Sequence, residues 1–186
     1  MSELAKQTVA IVGASSGIGL ATANAAALQG ATVVMLSQSQ ARITEAAKTV
    51  QGTVRPIAMN MLDPAAVDRA MTSVDAIDHL VLTAAGDELA CRGRITDLTT
   101  EQVERSLDKL RGYVNVTRAA APRMRESGSI TLLSGTSAVK PPEGFSVLAA
   151  GNAAIVSFGK ALALELAPVR VPVPVLNQRW NRNERS

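Results

Sequence analysis

The 186-residue chain is poor in aromatic side chains, with two Phe, one Tyr and one Trp. A surface that stacks single-stranded nucleic acid needs several such rings, so that class is excluded. Cys91 is the single cysteine, which rules out an intrachain disulfide and offers no secretory hint. His79 is the single histidine and opens a strand-like run, where it reads as a strand-end residue. No grouping with metal-ligand spacing is present, and no metal is expected. No apolar run reads as long enough to span a bilayer, and the start MSELAKQ does not have the form of a signal peptide. Charge of one sign is also scarce: 19 Lys+Arg stand against 16 Asp+Glu. Residues 170–186 hold four Arg and one Glu, which accounts for the whole excess of +3. That excess is a basic tail and not a nucleic-acid-binding face. These absences lead us to expect a cytoplasmic protein that binds neither membrane nor nucleic acid.

Small apolar residues are what the chain does have. Apolar residues make up 47% of it and 31 positions are alanine, which favours close helix–sheet packing. The length suits one domain, expected over residues 1–176, followed by a polar basic tail over 177–186. Apolar strand-like runs at 8–12, 32–36, 54–58, 78–83, 129–133 and 169–176 alternate with helical stretches at 17–29, 40–50, 63–73, 99–126 and 147–167. Pro56 cannot donate to a sheet ladder and places the third strand at an edge. Pro122 bends or divides the end of the fourth helix. Residues 86–98 and 134–144 read as loops. Six strands separated by helices predict an α/β fold, a Rossmann-type doubly wound parallel sheet with helices on both faces.

One motif in this frame carries chemistry. Gly13-Ala14-Ser15-Ser16-Gly17-Ile18-Gly19 lies between the first strand and the first helix. Small residues let the turn approach a diphosphate, and the helix behind it offers free N–H groups and a positive dipole end. Ser15 and Ser16 can add hydroxyl hydrogen bonds.

With these motifs the chain resembles the short-chain dehydrogenase/reductase family over residues 7 to about 171. Besides the glycine turn, residues 78–86 (DHLVLTAAG) are similar to that family's fourth strand and the turn after it. Residues 128–135 (GSITLLSG) are similar to its fifth strand and catalytic-serine turn, and 161–171 (ALALELAPVRV) to the end of its active-site helix and its sixth strand. The resemblance implies NAD or NADP at the carboxyl ends of the strands and hydride transfer between nicotinamide and an alcohol or carbonyl. It also implies a tyrosine acid/base, a lysine four residues later, a serine on the substrate oxygen and a relay asparagine. Carried over one position at a time, the tyrosine falls on Leu148, the lysine on Asn152 and the asparagine on Lys109. The serine falls on Gly135, with Ser134 just before it. Leu148 has no proton to give, so the family's standard mechanism is not available from these residues. A subgroup of the family shows a similar pattern, with a lysine in place of the relay asparagine, a Ser-Gly turn and an asparagine in place of the lysine. The candidate replacements are Ser134 and Thr136 as hydroxyl donors and Lys109 as a charged donor; Ser134 and Lys109 are taken as the catalytic pair. Tyr113, four residues after Lys109, reads as a helix-packing residue.

The coenzyme sites implied are Gly13, Ser15, Ser16, Gly17, Ile18 and Gly19, then Ser37, Gln38 and Ser39 after the second strand. Asn60 and Met61 follow the third strand, and Ala84, Ala85 and Gly86 the fourth. An acidic residue after the second strand would favour NAD; none is present, and Arg42 lies nearby, so NADP is expected, with NAD still open. The family's seventh strand and substrate loop have no counterpart. Pro172 and Pro174 share one parity and are expected to blunt the free outer edge of the last strand. A truncated or frameshifted gene is the alternative account of this end. The two long helices imply, by the resemblance, a homodimer or homotetramer. The function expected is NAD(P)(H)-dependent oxidation or reduction of a small-molecule alcohol or carbonyl. The rival reading is a dinucleotide-binding pseudoenzyme.

Overall fold

A computed structural model describes residues 4–86 and 91–176. Strands β1 (Thr8–Val12), β2 (Thr32–Ser37), β3 (Thr53–Ala58), β4 (Ile77–Leu82) and β5 (Met124–Leu132) form a parallel sheet in the order β3-β2-β1-β4-β5. The order reverses between β1 and β4, which opens a crevice beyond the carboxyl ends of these strands. Val33 to Leu36 of β2 are buried on both faces, so this strand reads as an unbroken apolar run. β3 is the edge strand and holds Pro56, as expected.

Two apolar cores flank the sheet. On one face, the alanines of α1 (Gly17–Leu28) and α2 (Gln40–Lys48) pack on Val9, Ile11, Val33 and Met35. On the other, α3 (Pro64–Thr72), α5 (Asp108–Ala120) and α6 (Ser146–Glu165) pack on Ala10, Leu36, Leu80, Leu82, Ile130 and Leu132. Side chains that alternate along each strand feed the two cores in turn.

Several boundaries differ from the sequence reading. The single helix expected over 99–126 is two helices, α4 (Thr100–Ser106) and α5, joined at Leu107. A capping box at Thr99 and Gln102 starts α4. Pro122 lies in a 3₁₀ turn (Ala121–Arg123) that ends α5, and β5 then begins at Met124, earlier than the apolar pattern suggested. The loop expected over 134–144 contains a short strand, β6 (Ser134–Gly135), and a second 3₁₀ turn (Thr136–Ala138). By length and composition α6 is long and apolar enough to cross a bilayer, so the expectation that no such run exists is corrected; its Ile155 and Leu162 face the core and its Leu148 is buried.

The last strand needs the largest correction. Only β7 (Val175–Leu176) forms a regular pair, with β6. The chain before it still runs along β5: the N–H groups of Ile130, Leu132 and Ser134 donate to the carbonyls of Arg170, Pro172 and Pro174 at 2.8, 3.1 and 3.0 Å. In a parallel ladder a residue's N–H and C=O point to the same neighbour. Pro172 and Pro174 therefore do share one edge, but that edge faces β5 and not the outside. Their missing N–H groups remove alternate rungs, so a sixth full strand does not form. The tail 177–186, with Trp180, lies outside the described residues.

Candidate active site

The turn between β1 and α1 is held from both sides. Gly13 and Ala14 donate their N–H groups to the Leu36 carbonyl at 2.8 and 3.2 Å, and Thr83 Oγ1 donates to the Val12 carbonyl at 3.0 Å. Gly13 has φ +94°, and a Cβ there would lie 2.6 Å from the Ala84 nitrogen. A Cβ on Gly19 would collide with the Gly13 carbonyl, so the helix begins pressed against the turn. Gly17 has φ +53° and nothing within 4 Å of its would-be Cβ. Ser16 is the N-cap of α1 and makes no side-chain cap, so the first N–H groups of the helix are left without a side-chain acceptor at its exposed start. A helix start of this kind suits an anion. Ser16, Gly17 and Ile18 are exposed there.

The other expected coenzyme residues lie at or just after the carboxyl ends of β2, β3 and β4. Ser37 is buried, and its hydroxyl lies 3.0 Å from that of Ser15, linking the β2 end to the glycine turn. Gln38 is exposed, while Ser39 caps α2 by accepting from the Arg42 N–H at 3.3 Å. No carboxylate stands in this stretch. Asn60 Oδ1 accepts from the Leu62 N–H at 3.0 Å. Met61 turns its side chain onto Gly112 of α5, and its carbonyl accepts from Asn115 Nδ2 at 3.1 Å. Ala84 presses on Gly13, and Ala85 and Gly86 are exposed.

Beyond β4 and β5, α5 and α6 bring together a buried polar chain. Lys109 is 5% exposed, and its Nζ donates to Asn152 Oδ1 at 3.2 Å. Asn152 Nδ2 in turn donates to Ser137 Oγ at 3.0 Å. In this chain the ammonium comes from α5 and the amide from α6. Ser134 donates its hydroxyl to the Asn152 carbonyl at 2.8 Å, tying β6 to α6. At Gly135, a Cβ would come within 3.0 Å of Asn152 Nδ2, so Asn152 occupies space that a serine would need. Leu148 is buried on the same helix. Tyr113 is fully buried and donates to the Leu82 carbonyl at 2.7 Å; it packs the core, as read from the sequence. A cavity of about 490 Å³ opens beside the start of α6, lined by Arg92, Arg94, Glu143 and Phe145 among others.

Ser137 is a member of this polar chain that the sequence reading did not name. It lies beyond the family's serine position, and its only signal was a hydroxyl two residues after Gly135. His79, at the opposite end of the sheet, bonds Ser129 Oγ at 2.8 Å and Gln7 Oε1 at 3.0 Å and takes no part in the site.

Comparison with known proteins agrees with this geometry. The short chain dehydrogenase family model matches residues 7–178. The human "Dehydrogenase/reductase SDR family member 4" is 32% identical over 93% of this chain and 65% of its own length. Human L-xylulose reductase is 30% identical, over 94% of this chain and 71% of its own length. An uncharacterized oxidoreductase of Staphylococcus epidermidis is 29% identical, over 93% and 77%. A solved short chain dehydrogenase/reductase family protein superposes with a TM-score of 0.86 at 29% identity, over 92% of this chain and 74% of that one. The chain spans about two thirds to three quarters of the length of these relatives. From the glycine turn, the reversed strand order and a family match over nearly the whole chain, it follows that the protein belongs to the short-chain dehydrogenase/reductase family.

Proposed function

We propose that the protein is an oxidoreductase that uses NADP(H) in preference to NAD(H) and interconverts an alcohol and a carbonyl on a small molecule. The observation that carries this reading is the start of α1 at the first crossover, where the first N–H groups have no side-chain acceptor and Gly17 has open space beside it. Gly13, Ser15, Ser16, Gly17, Ile18 and Gly19 would hold the diphosphate. Ser37, Gln38 and Ser39 would meet the adenosine ribose, where no carboxylate repels a 2′-phosphate. Asn60 and Met61 would line the adenine, and Ala84, Ala85 and Gly86 would border the crevice. The bound coenzyme would supply or accept the hydride. Lys109 is the charged group that would stabilise negative charge on the substrate oxygen, and Ser134 acts by holding Asn152 in place.

Leu148 favours a second reading, in which the dinucleotide binds but nothing turns over. One experiment separates the two: titration with NADPH and NADH, followed by a panel of small carbonyl compounds. The expected result is tighter binding of NADPH and its oxidation by at least one compound. Binding without oxidation selects the second reading, and no binding of either coenzyme overturns both. The assembly proposed is a homodimer or homotetramer in the cytoplasm, formed through the outer faces of α5 and α6.

A further inference from the structure

We propose that Ser137 holds the reacting oxygen of the substrate, through a hydroxyl set in place by Lys109 and Asn152. The inference rests on the oxidoreductase reading and names the residue that makes the contact. Thr136, next to Ser137, is half-buried, and its hydroxyl has no hydrogen bond among the described residues to set its direction; the remaining candidates are absent or committed. Gly135 has no hydroxyl, and Leu148 is apolar. The Ser134 hydroxyl is given to the Asn152 carbonyl at 2.8 Å, and that of Tyr113 to the Leu82 carbonyl at 2.7 Å. Ser137 differs in direction. It accepts from Asn152 Nδ2 at 3.0 Å, which occupies a lone pair and leaves its proton to be donated elsewhere. It is 8% exposed, and that amide is its one hydrogen-bond partner among the described residues.

The chain behind it makes this hydroxyl a better donor. The Lys109 ammonium, 3.2 Å from Asn152 Oδ1, draws electron density from the amide and strengthens its N–H. A hydroxyl that accepts a stronger hydrogen bond donates a stronger one, because aligned bonds polarise one another in a buried setting. The group lies in the 3₁₀ turn directly after β6, at the end of the sheet where the coenzyme crevice opens. In this role Ser137 makes one hydrogen bond and keeps its proton; no covalent bond to it forms or breaks. Lys109 and Asn152 act on the oxygen through it, in addition to the field of the ammonium itself.

The test uses full-length protein loaded with NADP+, which has no hydride to give, and cyclohexanone labelled with ¹³C at the carbonyl. A carbonyl carbon moves downfield as its oxygen accepts a stronger hydrogen bond. The bound signal is expected upfield of wild type in Ser137→Ala and restored in Ser137→Thr, with binding weakened about tenfold in the alanine variant. Unchanged NADPH affinity certifies that each variant is folded. A signal unmoved in Ser137→Ala, or displaced by Thr136→Val instead, overturns the proposal, and NADPH oxidation with the carbonyl panel in parallel samples shows whether the oxidoreductase reading survives. A shift confined to Ser137→Ala in a protein that oxidises NADPH with no member of the panel upholds the contact and removes that reading. No bound carbonyl signal in wild type overturns the proposal, whatever the coenzyme titration shows.

Discussion

Thr117 on α5 is buried, and its hydroxyl finds no partner among the described residues. An unsatisfied buried hydroxyl costs free energy that an isosteric methyl does not. Thr117→Val is therefore expected to stabilise the protein by about 1 kcal/mol, seen as a higher urea midpoint at unchanged slope. Lys109 has the opposite character, a buried ammonium committed to Asn152. Replacing it with methionine keeps most of the stem and removes the charge. Turnover is expected to fall on the order of 10²-fold while NADPH affinity stays the same, measured by steady-state kinetics beside a fluorescence titration. At this scale the glycines were legible in sequence, since a positive φ at Gly13 and Gly17 and a close approach at Gly19 are demands of the local backbone. Ser137 was not, because its part depends on Asn152, which reaches it from another element.

Between elements, Pro172 and Pro174 set how far the last strand can pair. The register places their ring nitrogens opposite the Ile130 and Leu132 carbonyls. Changing both prolines to valine supplies the two missing donors. The new amide protons are expected to exchange with solvent more slowly than those of Val171 and Val173, which face outward, and hydrogen-exchange mass spectrometry or NMR would show it. Parity was readable from sequence, but the direction of that parity was not, because it depends on which side β5 lies. His79 joins β4 to Ser129 of β5 and to Gln7 before β1. Burial lowers its pKa from 6.5, opposed by Asp78 and assisted by Arg170. The unfolded chain then takes up a proton that the folded one refuses. The resulting stability is complete above pH 6.5 and is lost as pH falls from there through the folded value. Denaturant midpoints measured across pH 7 to 5 should decline, and His79→Gln should flatten that decline.

For the whole molecule, the outer face of α6 is the feature that folding of one chain leaves unresolved. Leu164 is 84% exposed there, and Val114 on α5 is 38% exposed. Apolar surface of this kind on long helices is the basis for the proposed self-association. Leu164→Arg is expected to shift sedimentation at micromolar concentration toward a single chain, with the fold intact by circular dichroism. Equal sedimentation of variant and wild type would remove this face from the interface. The doubly wound architecture itself was legible, since strand and helix periods alternate along the chain. The break at Leu107 was not, because apolar spacing continues across it from α4 into α5.

By itself the sequence determined the first crossover and the order of elements, because both follow from residues adjacent in the chain: seven positions from Gly13 to Gly19, and hydrophobic periods a few residues long. Only the tertiary structure decided which polar groups meet beside α6. Lys109, Asn152 and Ser137 belong to three different elements, and they become one polar chain only when α5 and α6 close over the carboxyl ends of β4 and β5.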